Sequence, residues 1–339
     1  PTQPITAWGL IGAGIRAYDY MDGVGNRYGV HTVILEVDGE EVFRSVVDRF
    51  AYEENRYINS WTHGQYMKSF IEPGNRLRML HASNGNRGLV EINEERPYRF
   101  VYTLSDALGN TSKVRFTVQG KNTEIHPVEH REKYAFKWDR TNYLQEPGLE
   151  LVVPRGMLYD DVWLDYSVRA DSGDVAFTYQ LHNKRVPLHG ACEMRIGLRR
   201  DRLEDKSKYY VAGVTARGGK YSIGGTYEDG FMKVRIRDLG TYTVAVDTVP
   251  PEIIPLNPGQ WGRTGRITLK AKDKETGINS YRGTIDGKYA LFGKPNSISG
   301  NLVCELDPKH VKKGGRHTVE MTVTDGRGNR TTEEFHFVW

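Results

Sequence analysis

The sequence predicts an all-β protein of three β-sandwich-like domains, the first and third immunoglobulin-like and related to each other. Three observations carry that reading: short runs of strict apolar and polar alternation, an abundance of turn-forming residues, and an internal repeat linking the two ends of the chain. The 339 residues include 37 glycines, 14 prolines and 20 tyrosines, a mixture suited to many short strands joined by tight turns. That length accommodates two or three domains, each large enough to bury a core. With 38% apolar and 27% charged residues, the composition fits a soluble globular protein and gives no support to a membrane or low-complexity class.

Alternation recurs along the chain in residues 32–37 (TVILEV), 114–118 (VRFTV), 232–237 (MKVRIR), 242–246 (YTVAV), 267–272 (ITLKAK), 318–323 (TVEMTV) and 335–339 (FHFVW). A period of two with β-branched and aromatic residues is the signature of half-buried strands, and several such strands at short spacing point to sandwiches. Residues 15–43 parallel residues 269–292: both read apolar-x-Ala-x-Asp, then a glycine-containing loop, then a strand ending in Asp-Gly. Residues 98–118 likewise parallel 316–338, each carrying Asp-x-x-Gly-Asn between two strands. Asp38-Gly39 and Asp286-Gly287 fit two-residue hairpin turns, and 106–110 and 325–329 fit longer hairpins. Turn chemistry explains each motif singly, whereas four matches in the same order favour a duplication.

The copies delimit domains at 1–119, 120–246 and 247–339. The first copy is longer by about 29 residues, an insertion expected within 48–80. That window holds Phe50, Tyr52, Tyr57, Trp61, Tyr66 and Phe70. The pairs Tyr57/Trp61 and Tyr66/Phe70 are spaced i, i+4, which would put each pair on one face of a helical turn. These aromatics either form a satellite core under the insertion or make a surface that stacks on sugars or docks a neighbouring domain. Tyr57, Trp61, Tyr66, Phe70 and the isolated Trp261 are the candidate binding surface. The middle stretch is strand-like in pieces, at Tyr134, Phe136 and Trp138 and over 149–153. It leaves through Pro250, Pro251, Pro255 and Pro258, a stiff connector or an edge strand.

No catalytic constellation, metal site or cofactor site is expected. His126-Pro-Val-Glu-His130 formally matches HxxEH, but that zinc motif needs a helix, and Pro127 and the adjoining strand pattern argue for an inter-domain loop. There is no GxSxG, no GxxxxGK[ST] and no CxxC. Residues 9–14 (GLIGAG) lack the following crossover helix of a nucleotide loop and read as a strand with close backbone approach. Asp19, Asp22, Asp273 and Glu275 either cap their own loops or bind calcium. Basic and acidic residues number 47 and 43 and are interleaved, which argues against a nucleic-acid footprint. Cys192 and Cys304 lie too far apart to suggest a disulfide framework, and no apolar run reaches the roughly 18 residues of a membrane span.

At these same residues the chain resembles the C-terminal accessory region of bacterial envelope zinc endopeptidases of the lysostaphin type. The matching pieces are residues 7–30, 35–43, 54–60 (ENRYINS), 70–77 (FIEPGNRL), 154–161 (PRGMLYDD), 186–189 (VPLH), 237–253 (RDLGTYTVAVDTVPPEI) and 325–329 (DGRGN), a set that spans nearly the whole chain. The resemblance implies an exported protein whose catalytic domain precedes this region and cleaves peptidoglycan cross-links. The family's zinc ligands, HxxxD and a later HxH, are missing: His31 is followed four residues on by Leu35, His81 by Gly85 and His189 by Glu193, and 335–337 holds only His336. The chain is therefore expected to be the non-catalytic part of a longer envelope protein, periplasmic or surface-exposed. Its expected partners are its own upstream catalytic domain or peptidoglycan. The rival expectation is a free-standing surface adhesin or glycan-binding protein, which needs exposed Trp or Tyr platforms and which burial of all three of Trp61, Tyr66 and Trp261 would rule out.

Overall fold

A computed structural model describes residues 5–170, 175–296 and 298–339. The protein is all-β, and helix among the described residues is confined to short stretches, the longest running over Tyr52–Tyr57 and Ile58–Trp61. It forms two compact units: residues 1–142, 153–164 and 187–191 make the first, and 143–152, 165–186 and 192–339 the second. No helix among the described residues is long and apolar enough to cross a membrane.

The first unit is organised by a six-stranded sheet, in the order Ile5–Ala7, Thr111–Gly120, Pro97–Ser105, Thr32–Val37, Glu40–Val46, Leu80–Ala82. The pairing is antiparallel except for the first strand, which runs parallel to Thr111–Gly120. Alternation sends Val33, Leu35 and Val37 inward onto Phe43, Phe100 and Tyr102, and the residues between them outward.

The second unit holds two five-stranded sheets and, beyond residue 247, a sheet of three and a sheet of four. The last two enclose a core of Ile267, Leu269, Leu302, Val319, Met321 and Val323. Here Glu252–Pro255 is an edge strand against Arg266–Lys272, where a proline costs no ladder bond, and Pro258 opens a single helical turn.

The repeat is present atom for atom at its hairpins. Asp38 and Gly39 have φ of 53° and 92°, Asp286 and Gly287 of 50° and 75°, the signature of a type I′ turn. In the first copy Asp38 N–H donates to Arg99 O (2.9 Å), and Arg99 N–H donates to Asp38 Oδ1 (2.8 Å). In the second, Asp286 N–H donates to Thr318 O (2.9 Å), and Thr318 N–H donates to Asp286 Oδ1 (3.0 Å). The remaining oxygen, Oδ2, meets Arg96 in one copy and His317 in the other, each at 2.7 Å.

The repeat is weaker upstream. Arg266–Lys272 is a seven-residue strand, whereas its counterpart is the two-residue Gly14–Ile15. There the insertion supplies the partner: Gly14 and Ile15 pair with Lys68 and Met67 of the strand Tyr66–Lys68. Of residues 9–14, expected as one strand with close backbone approach, Gly9–Ile11 and Gly14–Ile15 are strands separated at Gly12 and Ala13, and the close approach is at Gly12, where a Cβ would meet the Phe70 ring at 2.5 Å.

Two expectations for the aromatic insertion need correction. Tyr57 and Trp61 do lie on consecutive helical turns, Tyr52–Tyr57 and Ile58–Trp61. Tyr66 and Phe70 share no helical face, because Tyr66–Lys68 is a strand of the hairpin with Thr62–His63. Trp61 and Trp261 are core residues, 6% and 2% exposed. Burial of each indole is matched by an acceptor for Nε1–H, Lys68 O at 3.0 Å and Leu256 O at 2.9 Å. Trp261 also takes edge-on contacts from Phe335 and Phe337.

Candidate functional site

Polar residues converge in each unit on one joint. In the first unit the joint lies where the insertion meets residues 154–161 and 187–191. Gly74 N–H donates to Tyr159 O at 2.7 Å, and a Cβ on Gly74 would fall 2.6 Å from Leu158 O, so only glycine admits this approach. Tyr159 Oη–H donates to Arg56 O (2.6 Å), and the Arg56 guanidinium donates back to Leu188 O (2.7 Å). The Tyr57 ring stacks on His189, with centroids 4.1 Å apart, and the edge of Tyr159 closes the cluster. His189 Nδ1 lies 3.3 Å from the Tyr159 hydroxyl.

Burial sets the protonation of this joint. It pushes the Tyr159 hydroxyl up to about 12. It also holds His189 below the ordinary imidazole value of 6.5, and the Arg56 charge adds to that effect. A depressed histidine is neutral in the folded state, so its contribution to stability is present above pH 6.5 and is lost as pH falls through the folded value. We expect the melting temperature of the first unit to drop as pH falls below 6.5, and His189→Phe to flatten that drop. Thermal melts of the two chains across this range check it, and parallel curves would refute it.

In the second unit the joint is acidic. Asp247 directly follows the strand Thr241–Val246 and begins the connector, Asp273 sits in the loop after Arg266–Lys272, and Asp325 closes the strand Arg316–Asp325. One carboxylate oxygen from each lies within 4.8 Å of the others. Asp247 and Asp325 are both 1% exposed. Asp273 Oδ1 accepts from the N–H groups of Glu275, Thr276 and Gly277 at 2.6–3.1 Å. Asp325 Oδ1 accepts from Arg327 N–H and Asn329 N–H, at 2.8 and 2.9 Å.

The Asn329 side chain ties the cluster together. Its Nδ2 donates to Asp325 Oδ2 (2.7 Å) and to Asp247 O (3.0 Å) and lies 3.4 Å from Asp247 Oδ1. Asp247 Oδ2 accepts from the Thr276 hydroxyl at 2.6 Å. Around this knot Tyr210 Oη–H donates to Glu275 (2.9 Å), and Arg327 donates to Tyr209 O and Gly225 O, both at 3.0 Å. Burial raises the Tyr210 pKa, so its hydroxyl stays a donor.

All the carboxylate ligands are hard oxygens, a set that suits calcium or magnesium rather than zinc. Internal donors nevertheless answer most of the charge. Among the described residues only Asp273 Oδ2 of the six oxygens accepts no hydrogen bond.

Of the aromatic residues singled out from sequence as a binding surface, Tyr57 alone takes part in a joint. Tyr66 is 54% exposed, and Phe70 lies on Gly12. Asp273 and Glu275 belong to the acidic joint, whereas Asp19 caps Tyr20 N–H and Asp22 is exposed. The HxxEH segment is not helical: His126 is open to solvent, and His130 stacks on Trp163 at 3.6 Å. Cys192 and Cys304 are buried free thiols, and burial pushes each up to about 11.

Sequence reasoning missed Gly74, Tyr159, His189, Asp247 and Asn329 as joint residues. Gly74, Tyr159 and His189 do fall in the pieces 70–77, 154–161 and 186–189, and Asp247 and Asn329 in 237–253 and 325–329.

The fold and its joints define a multi-module β protein, and comparison adds one family to that. A family model described as a Zu5-like domain matches residues 133–247, about a third of the chain, ending at the first aspartate of the acidic joint. No curated protein matches.

Solved structures with similarity include the mixed-linkage glucan utilization locus protein SGBP-B of Bacteroides ovatus, in complex with a mixed-linkage heptasaccharide. It is 11% identical, with a TM-score of 0.17, and the match covers 96% of this chain and 63% of that one. A Ca2+-stabilized adhesin that helps an Antarctic bacterium bind ice is 11% identical at a TM-score of 0.18, over 98% and 95% of the two chains. Drosophila N-cadherin EC1-4 is 13% identical at a TM-score of 0.19, over 75% and 63%.

Proposed function

We propose that this chain is a non-catalytic array of β-sandwich modules from an exported surface protein, serving as an adhesin or glycan-binding segment. The observation that supports this most is the acidic joint. Asn329, Thr276 and the connector residue Asp247 fasten the exit of one sandwich to the loops of the next. A fastened exit holds a binding face at a set orientation, which is what a presenting array requires and a hydrolase does not. Incubating the purified chain with bacterial sacculi and with a panel of immobilised glycans tests the reading. Retention above that of serum albumin is expected on at least one surface, and retention on none would sink it.

A second reading, the accessory region of a lysostaphin-type peptidase, draws on where the resembling pieces lie. Residues 54–60, 70–77, 154–161 and 186–189 meet at the first joint, through Arg56, Gly74, Tyr159 and Leu188. Residues 237–253 and 325–329 meet at the second, through Asp247 and Asn329. The predicted consequence is that the chain, mixed with such a catalytic domain, changes its rate on peptidoglycan. An unchanged rate leaves the first reading alone.

A further inference from the structure

The second unit contains a polar cleft of about 600 Å³ that neither joint uses. It opens along the five-stranded sheet in which Ser167, Gln180, Thr241 and Val214 stand in register across four adjacent strands. A volume of this size accommodates two or three sugar rings, within the common range of ligand sites.

Its chemistry is one-sided. Among the described residues, Arg169, Lys184 and Arg185 line it against a single carboxylate, Asp238. That carboxylate is already answered: Asp238 is 7% exposed, takes Arg185 at 2.7 Å on Oδ2 and accepts from the Tyr242 hydroxyl at 2.9 Å on Oδ1. Arg169 and Lys184 are exposed and have no ion-pair partner among the described residues.

Two further features suit a saccharide. The Tyr221 ring lies over Gly213, where a Cβ would meet its Cζ at 2.3 Å, and the tyrosine stays 41% exposed. Gly213 and Tyr221 are cross-strand partners, so the backbone fixes the ring in place. Aromatic rings held in this way take the C–H face of a sugar, while Asn183 and Ser167 offer neutral hydrogen bonds to hydroxyls.

We infer that this cleft binds a short acidic saccharide, its carboxylate held by Arg169 and Lys184 and one ring resting on Tyr221. The inference rests on the adhesin reading for the ligand being a glycan and adds its charge class and its seat. The guanidinium of Arg169 provides planar, two-pronged recognition of a carboxylate, and Lys184 adds a second positive charge. Attraction of this kind weakens as salt rises.

Calorimetric titration of the intact chain with tri-galacturonate, maltotriose and inorganic phosphate tests it. Binding of tri-galacturonate is expected to exceed that of maltotriose and of phosphate, and to weaken between 50 and 500 mM NaCl. Arg169→Ala and Lys184→Ala are each expected to reduce it by about tenfold, the effect of losing one charge-assisted contact. Tyr221→Ala should weaken the trisaccharide while leaving phosphate unchanged. These are surface positions, and an unchanged melting temperature will show that each variant folds.

Equal binding of maltotriose, unaltered by the two charge variants, would overturn the inference while leaving the adhesin reading standing. Phosphate bound as tightly as tri-galacturonate would overturn the saccharide assignment. No glycan bound here and none on the immobilised panel would count against both.

Discussion

Asn329→Ala is expected to cost the second unit about 3 kcal/mol, whereas Asn110→Ala in the matching hairpin of the first copy should cost under about 0.5 kcal/mol. The two asparagines make the same local bond. Asn329 Nδ2 donates to Asp325 Oδ2 at 2.7 Å, and Asn110 Nδ2 to Asp106 Oδ2 at 2.6 Å. Burial separates them. Asn329 is 8% exposed and also serves Asp247, so its loss leaves the buried Asp325 Oδ2 and the Asp247 carbonyl without this donor, while water replaces the bond at exposed Asn110. Hydrogen exchange of the intact chain, read on peptides from 266–272 and 316–325 for one variant and 97–105 for the other, measures both costs. Equal costs would mean that the buried network contributes no more than an ordinary turn.

Trp261→Ala is expected to be the most damaging substitution, at about 3–5 kcal/mol. The indole fills the centre of the C-terminal core between Phe335 and Phe337, and its removal leaves both a cavity and an unanswered Leu256 carbonyl. Tyr66→Ala, at a 54% exposed position, should stay within about 0.5 kcal/mol. Urea titrations of the three chains give the comparison. A Trp261→Ala chain as stable as the parent would restore this residue to the binding surface that sequence reasoning assigned it.

The strands were legible because their alternation is a direct imprint of the pleat. Residues 32–37 and 318–323 alternate in burial as they alternate in hydropathy. Asp-Gly turns were legible because positive φ at two consecutive residues leaves few other choices. The Tyr66/Phe70 spacing misled, since a four-residue interval fits a helical face and a strand followed by a bend equally well.

The joints were hidden for a different reason. Asp106–Asn110 and Asp325–Asn329 are equivalent as sequence, and only tertiary burial makes one of them a fastening. Tyr57 was marked as an aromatic, but its partners Tyr159 and His189 lie more than a hundred residues away, beyond any local pattern.

The exposed hairpin of the first module carries a consequence for how such chains grow. Asp106 and Asn110 keep the bond geometry that in the last module grips a preceding connector, yet here both face solvent. The local half of the coupling is therefore carried by the module's own turn. Recombination that set this module behind a strand ending in Asp-Thr-Val-Pro would bring the two halves of the coupling together in one step. Lengthening by duplication then needs no co-invention of a new interface, and a protein engineer could extend the array by the same cut and join.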